Sequence, residues 1–324
     1  METVQKNLET AIAKAAKIIR DGGLVAFPTE TVYGLGANAL NPVAVAKIFE
    51  LKERPSFDPL IVHIASFDQL DDLVENVSDA VKLLADKFWP GPLTFVLPKT
   101  NKVPEIVTSG LATVGVRMPD NPIALELIRK AGCPIAAPSA NKFGRISPTT
   151  AMHVKKQLPN VDCIIDGGKT SVGIESTIVF VEGDTCTLLR AGKITIEDIR
   201  ESLPNNFKVI QHVSGEAISP GLLKSHYSPT KTLRILNSKT ETLPEGSGLI
   251  VHEQNHILKA FAHKTIVTSP NMDYHQIAAN LFSALHTMED DPEITQIFIQ
   301  PVEETGLGLA LMDRINKAAH QYQK

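Results

Sequence analysis

The stretch KERPSFDPLIVH, from Lys52 to His63, constrains the fold of this chain more than any other because prolines punctuate it. A helix has to end before Pro55, since proline lacks an amide hydrogen and restricts the residue before it. The pattern therefore predicts a helix that ends near Lys52 and a loop that carries Arg54 and Asp58. The apolar letters LIVHI then predict a strand.

Two cations of this stretch, Lys52 and Arg54, are separated by one residue. Arginine offers a bidentate fork and lysine a mobile point charge, so the pair suits a phosphate or a carboxylate. The alternative is a solvated helix C-terminus, where cations complement the helix dipole. Charged helix ends are common, so this stretch alone favours the alternative.

Length and composition describe an ordinary soluble protein of about two domains. The chain has 324 residues, 43% hydrophobic and 21% charged, with a net charge of −4. This charge excludes a strong overall field for nucleic acid. The 3 cysteines are scattered and indicate reduced thiols. We find no signal peptide and no bilayer-length apolar segment, so we expect a cytoplasmic protein without membrane contact.

Strands and helices mix through residues 1–210 without strict βαβ repetition, which favours an α/β domain with a mixed sheet. Residues 211–231 contain two prolines, two glycines and four serines, a composition typical of a linker. Strand and helix alternate again over 232–324, which predicts a small second α/β domain. We further expect a helix over Phe67–Glu75 and a helix capped by Ser147. PTETVYGLGANAL indicates a turn with exposed amides.

Three short motif matches do not fit their structural context. Gly34–Ala39 matches G-x-G-x-x-A, but residues 28–33 separate it from the preceding strand. A dinucleotide-binding loop needs its first glycine directly after the strand, so this match is disfavoured. Gly168–Thr170 resembles the end of a P-loop, but Cys163 replaces its first glycine. His252–His256 is a literal H-E-x-x-H that follows a strand, so both histidines would not share a helix face. We expect a solvated turn there and no metalloprotease.

Polar residues remain at strand ends and turns of the first domain, and each has an ordinary explanation when taken alone. Arg117 in VGVRMP needs an anionic partner or a route to solvent. Ser139 suits a turn, and His63 suits a satisfied core position. The candidate residues are Thr29, Thr31, Lys52, Arg54, His63, Thr113, Arg117, Ser139, Asn141, Ser147, Ser176 and Arg190.

Several segments together resemble the YrdC-type L-threonylcarbamoyladenylate synthases. They are PTETVYGLGANA, KERPSFDPLIVH, FWPGPLTFVL, VGVRMPDNP, APSAN, GRISPT and IESTIV. Lys52-x-Arg54 with Ser139-x-Asn141 matches the KxR…SxN signature of that family. SPGLLKSHYSP and GLGLALMDRINKAA resemble its long, two-domain form. The resemblance covers nearly the whole chain.

The resemblance implies a twisted mixed sheet of YrdC type flanked by helices, plus a small Rossmann-like C-terminal α/β domain. It implies that L-threonine, bicarbonate and ATP give threonylcarbamoyl-AMP and pyrophosphate, with magnesium carried by ATP and without zinc or NAD. The product would serve threonylcarbamoyladenosine formation beside the tRNA anticodon, through a separate transferase. We expect no strong nucleic-acid binding by this chain itself.

The resemblance also implies roles for particular residues. Lys52 and Arg54 would act on the triphosphate as the catalytic pair, and Arg117 would bind the carboxylate of threonine. The threonine positions are Thr31, His63, Arg117, Ala137 and Ser176. The nucleotide positions are Arg54, Asp58, Thr113, Ser139, Asn141, Ser147, Arg190 and Tyr227. Protein ligands for a metal are not assigned.

Asp58 departs from the family, in which RPSFNPL is common. This acid would help to hold magnesium, weaken ATP binding or face away from the site. Two other functions stay open. A related carbamoyl-adenylate chemistry occurs in hydrogenase-maturation carbamoyltransferases, whose zinc-finger and acylphosphatase regions we do not see here. An RNA-binding or regulatory module is disfavoured by the charge and by the lack of basic or aromatic clusters.

Overall fold

A computed structural model describes residues 2–212, 226–237 and 242–320, with side chains from residue 7 onward. The α-helices are α1 (Glu2–Arg20), α2 (Pro42–Lys52), α3 (Asp79–Phe88), α4 (Glu105–Thr108), α5 (Pro122–Ala131), α6 (Ala151–Gln157), α7 (Ile196–Ser202), α8 (Tyr274–Asp290) and α9 (Leu307–Ala319). None of these helices is long and apolar enough to cross a bilayer.

The strands of the described residues form two sheets. They are β1 (Val25–Pro28), β2 (Tyr33–Asn38), β3 (Ile61–His63), β4 (Leu93–Pro98), β5 (Thr113–Arg117), β6 (Ile135–Ala136), β7 (Cys163–Ile164), β8 (Thr177–Glu182), β9 (Thr185–Arg190), β10 (Lys208–Gln211), β11 (Thr232–Ile235), β12 (Ser247–Val251), β13 (Lys264–Val267) and β14 (Gln296–Ile299). The first sheet has the order β10-β9-β8-β4-β5-β3-β6-β2-β1-β7 and mixed directions. The second is parallel, in the order β11-β14-β12-β13. The predicted fold class is confirmed.

Helices cover both faces of the first sheet because its strands alternate their side chains. Ala26 of β1 points into the core shared with α2 and α3. Its neighbours Val25 and Phe27 point into the opposite core, shared with α1 and α5. This two-sided packing fixes the strand ends from which the site is built.

The two parts of the chain share a hydrophobic core. Ile146 and Ile174 of the first part pack with Leu281 of α8 and Leu311 of α9 in one buried cluster. The boundaries 1–210 and 232–324 remain predictions, and most of the predicted linker, residues 213–225, lies outside the described residues. Gln211 ends β10, which pairs with β9 of the first sheet.

Helix α2 shows why the opening stretch adopts its shape. The Asn41 side chain accepts hydrogen bonds from two backbone amides of the first turn, and Pro42 follows at the favoured first position. The helix ends at Lys52, as predicted, and Glu53 adopts a left-handed backbone with φ 55°. The loop that carries Arg54 therefore starts in a fixed direction.

The predicted helix over Phe67–Glu75 is wrong, because only a 3₁₀ turn forms at Phe67–Gln69. Backbone pairing outside the helix overrides the helical pattern. The Glu75 amide donates to the Pro98 carbonyl at 3.0 Å, and Val74 forms a bridge with Lys99. These contacts draw the segment alongside β4.

The helix predicted to start at Ser147 instead begins at Ala151, with Thr150 as its cap. The Pro148 carbonyl accepts from the Tyr33 amide at 2.9 Å, which holds this segment extended. PTETVYGLGANAL was likewise expected to be a turn, but from Tyr33 onward it forms β2, paired antiparallel with β1.

Buried uncharged histidines predict acid sensitivity of the fold. Burial, as the first cause, lowers the pKa of His252 to about 4 and of His153 to about 3. The unfolded chain binds these protons near the ordinary pKa of 6.5, so the free energy of unfolding should fall as pH drops from about 6.5 to 4. Each such histidine should contribute a slope of roughly 1.4 kcal/mol per pH unit.

Denaturant unfolding between pH 7 and pH 4 measures this slope. His252→Gln should lower this slope by the contribution of about one proton. Asn316→Ala, at an exposed residue that does not titrate, should leave the slope unchanged. Equal slopes for the native chain and His252→Gln would contradict the assignment.

Candidate functional site

A cleft of about 590 Å³, including its open mouth, lies at the strand ends of the first sheet. Its wall combines cations, hydroxyls and histidines with a few apolar side chains. The lining residues are Thr29, Thr31, Val32, Gly34, Arg54, Pro59, Ile61, His63, Arg117, Ala137, Pro138, Ser139, Glu175, Ser176, Arg190, His226 and Tyr227. Ten of the candidate residues lie in this wall: Thr29, Thr31, Arg54, His63, Arg117, Ala137, Ser139, Ser176, Arg190 and Tyr227.

Arg117 is fixed on three sides at one end of the cleft. Its Nη1 donates to the Thr31 hydroxyl at 3.0 Å, and its Nε donates to the Gly91 carbonyl at 3.2 Å. Its Nη2 forms an ion pair with Glu30 Oε1 at 2.5 Å. Both side chains are buried, so Glu30 is the anionic partner that an arginine inside this apolar strand requires.

His63 lies beside Arg117 because β3 and β5 pair in parallel register at these two residues. Burial first, and then the charge of Arg117, lowers the pKa of His63 to about 3. The ring is therefore neutral at physiological pH, and it packs edge-on against Phe27 with centroids 6.2 Å apart. A neutral imidazole can bind a polar substrate but does not supply a positive charge here.

Ser176 and Arg190 also line the cleft. Arg190 donates through Nη2 to the Ser176 hydroxyl at 3.0 Å and through Nε to the Ser176 carbonyl at 3.0 Å. The Ser176 hydroxyl also contacts the Thr94 hydroxyl at 2.8 Å. Burial lowers the pKa of Arg190 from its ordinary value. These bonds fix both side chains at the cleft surface.

Arg54 reaches the cleft from the loop after α2 and is held by its own neighbours. It donates to the carbonyls of Asp58 at 3.1 Å and Pro59 at 3.0 Å. Its Nη2 also lies 2.8 Å from Asp58 Oδ2. Burial of this pair raises the pKa of Asp58 and lowers that of Arg54, because desolvation outweighs their attraction.

The two halves of the KxR…SxN signature meet in the structure, but through the backbone. Lys52 Nζ donates to the carbonyls of Ser139, at 2.6 Å, and Asn141. Asn141 in turn donates to the carbonyls of Lys142 and Arg145 at 2.8 and 2.9 Å. Burial lowers the pKa of Lys52 well below its ordinary value. Lys52 therefore fastens the loop that presents Ser139.

Five predicted site residues lie outside the wall that the described residues form: Lys52, Asp58, Thr113, Asn141 and Ser147. Thr113 begins β5 and pairs with Pro98 of β4. Ser147 is fully buried and donates its hydroxyl proton to Glu175 Oε1 at 2.5 Å. Their roles in substrate binding stay predictions.

Sequence reasoning missed four buried residues at the site. Glu30 and Glu175 stand inside the PTET and IEST segments, next to the hydroxyl residues singled out as candidates. His226 precedes Tyr227 and lines the cleft. Arg314 lies in the DRINKAA segment of α9 and is 0% exposed. Each lay within a segment that carried the resemblance, which was the available signal.

Tyr227 closes one side of the cleft in an uncommon backbone conformation. It is fully buried with φ 62°, a left-handed value that favours glycine. Its ring meets His226 edge-on, with centroids 4.1 Å apart. Burial raises the pKa of its phenol, and the hydroxyl makes no hydrogen bond with the described residues.

The H-E-x-x-H match does not form a metal site. His252 is buried just after β12, where its ring contacts the Thr268 hydroxyl at 2.7 Å and the Gln300 carbonyl at 2.8 Å. The expected solvated turn is therefore wrong for His252, although the rejection of a helical zinc motif holds. Among the described residues, one group has metal-ligand spacing, His263 with Asp291 and Glu293, and it lies outside the cleft.

Two family models match the chain. One, Sua5_yciO_yrdC, described as telomere recombination, matches residues 17–192. The second, described as the threonylcarbamoyl-AMP synthase C-terminal domain, matches residues 194–320. Together they cover both sheets.

Relatives of known name span the same length. A threonylcarbamoyl-AMP synthase of Pyrococcus abyssi is 42% identical, over 96% of this chain and 94% of that protein. One of Bacillus subtilis is 43% identical, over 95% and 92%. The crystal structure of P. abyssi Sua5 complexed with L-threonine matches at a TM-score of 0.86 and 40% identity, over 96% of this chain and 95% of that one.

Proposed function

This chain belongs to the threonylcarbamoyl-AMP synthase family, and we propose that its cleft joins L-threonine, bicarbonate and ATP. The chain is an adenylyl-transferring synthase that serves tRNA modification. Bicarbonate as the carbon source, the residue roles and the downstream transferase are parts of the proposal. The observation that carries it is one cleft lined by three buried arginines, Arg54, Arg117 and Arg190.

Arg117 binds the carboxylate of threonine in this proposal. Its guanidinium is fixed by Glu30 and Thr31, so little side-chain entropy is lost when the substrate arrives. Neutral His63 and the Ser176 hydroxyl offer hydrogen bonds nearby, and Ala137 supplies an apolar contact. This combination suits a small zwitterion with one methyl group and one hydroxyl.

Arg54 and Arg190 bind the phosphates of ATP, and Ser139 and Tyr227 contact the nucleotide. Both arginines have fixed orientations from backbone acceptors, so they meet the anionic triphosphate without reorganisation. The free hydroxyl of Tyr227 gains a partner when the nucleotide binds. Lys52 acts at a distance by holding the Ser139 loop.

The reaction consists of two balanced steps. The threonine amine adds to the carbon of bicarbonate and water leaves, which gives a carbamate. A carbamate oxygen then attacks the α-phosphorus of ATP, and pyrophosphate leaves. Both reactants of the second step are anions, so the arginines act by neutralising charge and holding the two in line. Bicarbonate or phosphate oxygens accept the amine proton.

Magnesium enters with ATP in this proposal. The described cleft wall contains one carboxylate, Glu175, which already accepts from Ser147 and Arg314. Asp58 is paired with Arg54. Magnesium is commonly bound by substrate phosphates with few protein ligands, and this donor set fits a metal carried by the triphosphate.

In the proposal a separate tRNA transferase consumes the product, which is a mixed anhydride that water hydrolyses. The three cysteines are free, which supports a reducing, cytoplasmic setting for both steps.

Pyrophosphate release tests the proposed function. With purified protein, magnesium and ATP, release should require both threonine and bicarbonate, and omission of either should lower the rate at least tenfold. A control protein heated to unfold it sets the background. Release of equal rate without threonine would contradict the proposal, and so would the absence of release at saturating levels of all three.

A further inference from the structure

Helix α9 places a fully buried arginine in the core of the second part of the chain. Its neighbours Leu311 and Ile315 pack against α8 in the shared cluster. Arg314 is 0% exposed and is the largest fully buried side chain among the described residues. A buried guanidinium is costly unless it is paired and hydrogen-bonded, so its contacts identify what it does.

Arg314 contacts three segments that lead directly to the cleft wall. Its Nε donates to Glu175 Oε2 at 3.1 Å, and its Nη1 donates to the Ala191 carbonyl at 2.5 Å. Its guanidinium carbon lies 5.8 Å from the centre of the Tyr227 ring. Glu175 and Tyr227 line the cleft themselves, and Ala191 follows the lining residue Arg190 in the chain. One side chain of α9 therefore contacts two lining residues and the neighbour of a third.

Glu175 connects Arg314 to Ser147 and Ser176. Its second oxygen, Oε1, accepts from the Ser147 hydroxyl at 2.5 Å, and the next residue is Ser176 of the wall. Burial alone would favour protonation of Glu175, but the charges of Arg314 and Arg190 hold the pKa of this carboxyl below its ordinary value. Without Arg314, the carboxylate would lose its principal counterion inside the protein.

We propose that Arg314 is a positioning residue through which the second domain fixes the nucleotide side of the cleft. The proposal rests on the proposed function, since it assigns Arg190 and Tyr227 to ATP. Arg314 is held away from the substrates and acts through Glu175, the Ala191 carbonyl and the Tyr227 ring. Arg117, the proposed partner of the threonine carboxylate, has its own buried partner in Glu30. Ser176, which also contacts threonine in the proposal, follows Glu175 in the chain.

Steady-state kinetics of Arg314→Met and Arg314→Lys test the proposal. Methionine keeps much of the volume but leaves Glu175 unpaired, so the KM for ATP should rise about 10- to 100-fold. The KM for threonine should rise by a smaller factor, because Arg117 keeps its ion pair with Glu30 and only Ser176 lies next to Glu175. Lysine keeps one charge and one contact and should restore part of the loss. Glu175→Gln in the Met background should also restore part, because it removes the unpaired charge.

Two variants of the same helix serve as controls. Leu311→Ala removes core packing without touching the guanidinium, so it should lower the melting temperature and leave both KM values unchanged. Asn316→Ala is exposed and should change neither. If Arg314→Met loses stability as Leu311→Ala does and keeps the native KM for ATP, Arg314 is only a core residue and the proposal is overturned.

Amide hydrogen exchange of the ligand-free protein separates this proposal from the proposed function. Arg314→Met should speed exchange at residues 145–149 and 174–177 more than Leu311→Ala does. This result would support the positioning role even if the native chain formed no product. Equal exchange in both variants would overturn the positioning role whether or not the synthase activity is present.

Discussion

Arg117→Met should lower kcat/KM for threonine by on the order of 100- to 1,000-fold. The charge-assisted hydrogen bonds from Arg117 to the substrate carboxylate would be lost, and each is worth about 1.5–3 kcal/mol. Removal of one partner of a buried ion pair also destabilises the fold, by about 3–5 kcal/mol, because Glu30 would be left buried without its cation. The loss should appear as a higher KM for threonine, with the KM for ATP changed much less.

Pyrophosphate release at varied threonine concentrations measures this effect. Arg129→Met is a matched control, since Arg129 is a surface residue whose nearest acid, Glu126, lies 3.8 Å away. Its kinetics should remain native. A second variant, Glu30→Gln with Arg117→Met, removes the orphaned charge and should recover stability but not threonine affinity. Recovery of both would contradict the assignment of Arg117 to the substrate.

Arg54→Met and Asp58→Asn should move ATP binding in opposite directions. Each charge-assisted hydrogen bond is worth about 1.5–3 kcal/mol, so loss of Arg54 should raise the KM for ATP about 10- to 100-fold. Asp58 occupies Nη2 of the same arginine at 2.8 Å. Asp58→Asn releases that donor and removes a negative charge near the phosphates, so the KM for ATP should fall.

Titrations of ATP at several magnesium concentrations distinguish the roles open to Asp58. If Asp58→Asn binds ATP more tightly and needs the same magnesium concentration for binding, Asp58 acts through its ion pair with Arg54. That result excludes magnesium binding by Asp58. A higher magnesium demand in Asp58→Asn would instead assign the metal to this carboxylate. Glu53→Gln is the matched control in the same loop, because Glu53 is exposed and pairs with Lys142 on the surface. It should leave ATP binding unchanged.

Local sequence patterns predicted the structure correctly where short-range interactions determine the conformation. Asn41 and the proline after it set the start of α2, and Pro55 sets its end near Lys52. The order of strand and helix patterns also predicted the mixed sheet and a second α/β domain, whose sheet the structure shows to be parallel. Ten lining residues of the cleft were identified from the residues together with the family resemblance.

Long-range pairing explains what the patterns missed. Ser147 has a good cap sequence, but Glu175 takes its hydroxyl and Tyr33 takes the next carbonyl, so the helix starts later. The resemblance places Lys52 beside the triphosphate, which stays a prediction. The patterns did not predict that its Nζ donates to loop carbonyls 87 and 89 residues away in sequence. Glu30 of PTET, the ion-pair partner of Arg117, was not among the candidate residues. Such contacts join distant segments, and periodicity carries no information about them.

The most direct test of the account traces the carbon of bicarbonate. The protein is incubated with ATP, magnesium, threonine and ¹³C-bicarbonate, and the products are separated rapidly and identified by mass spectrometry. We predict threonylcarbamoyl-AMP that is heavier by the one labelled carbon, formed in equal amount with pyrophosphate and absent without threonine. Formation of ADP with phosphate, or of AMP with no labelled adduct even at the earliest times, would contradict the account.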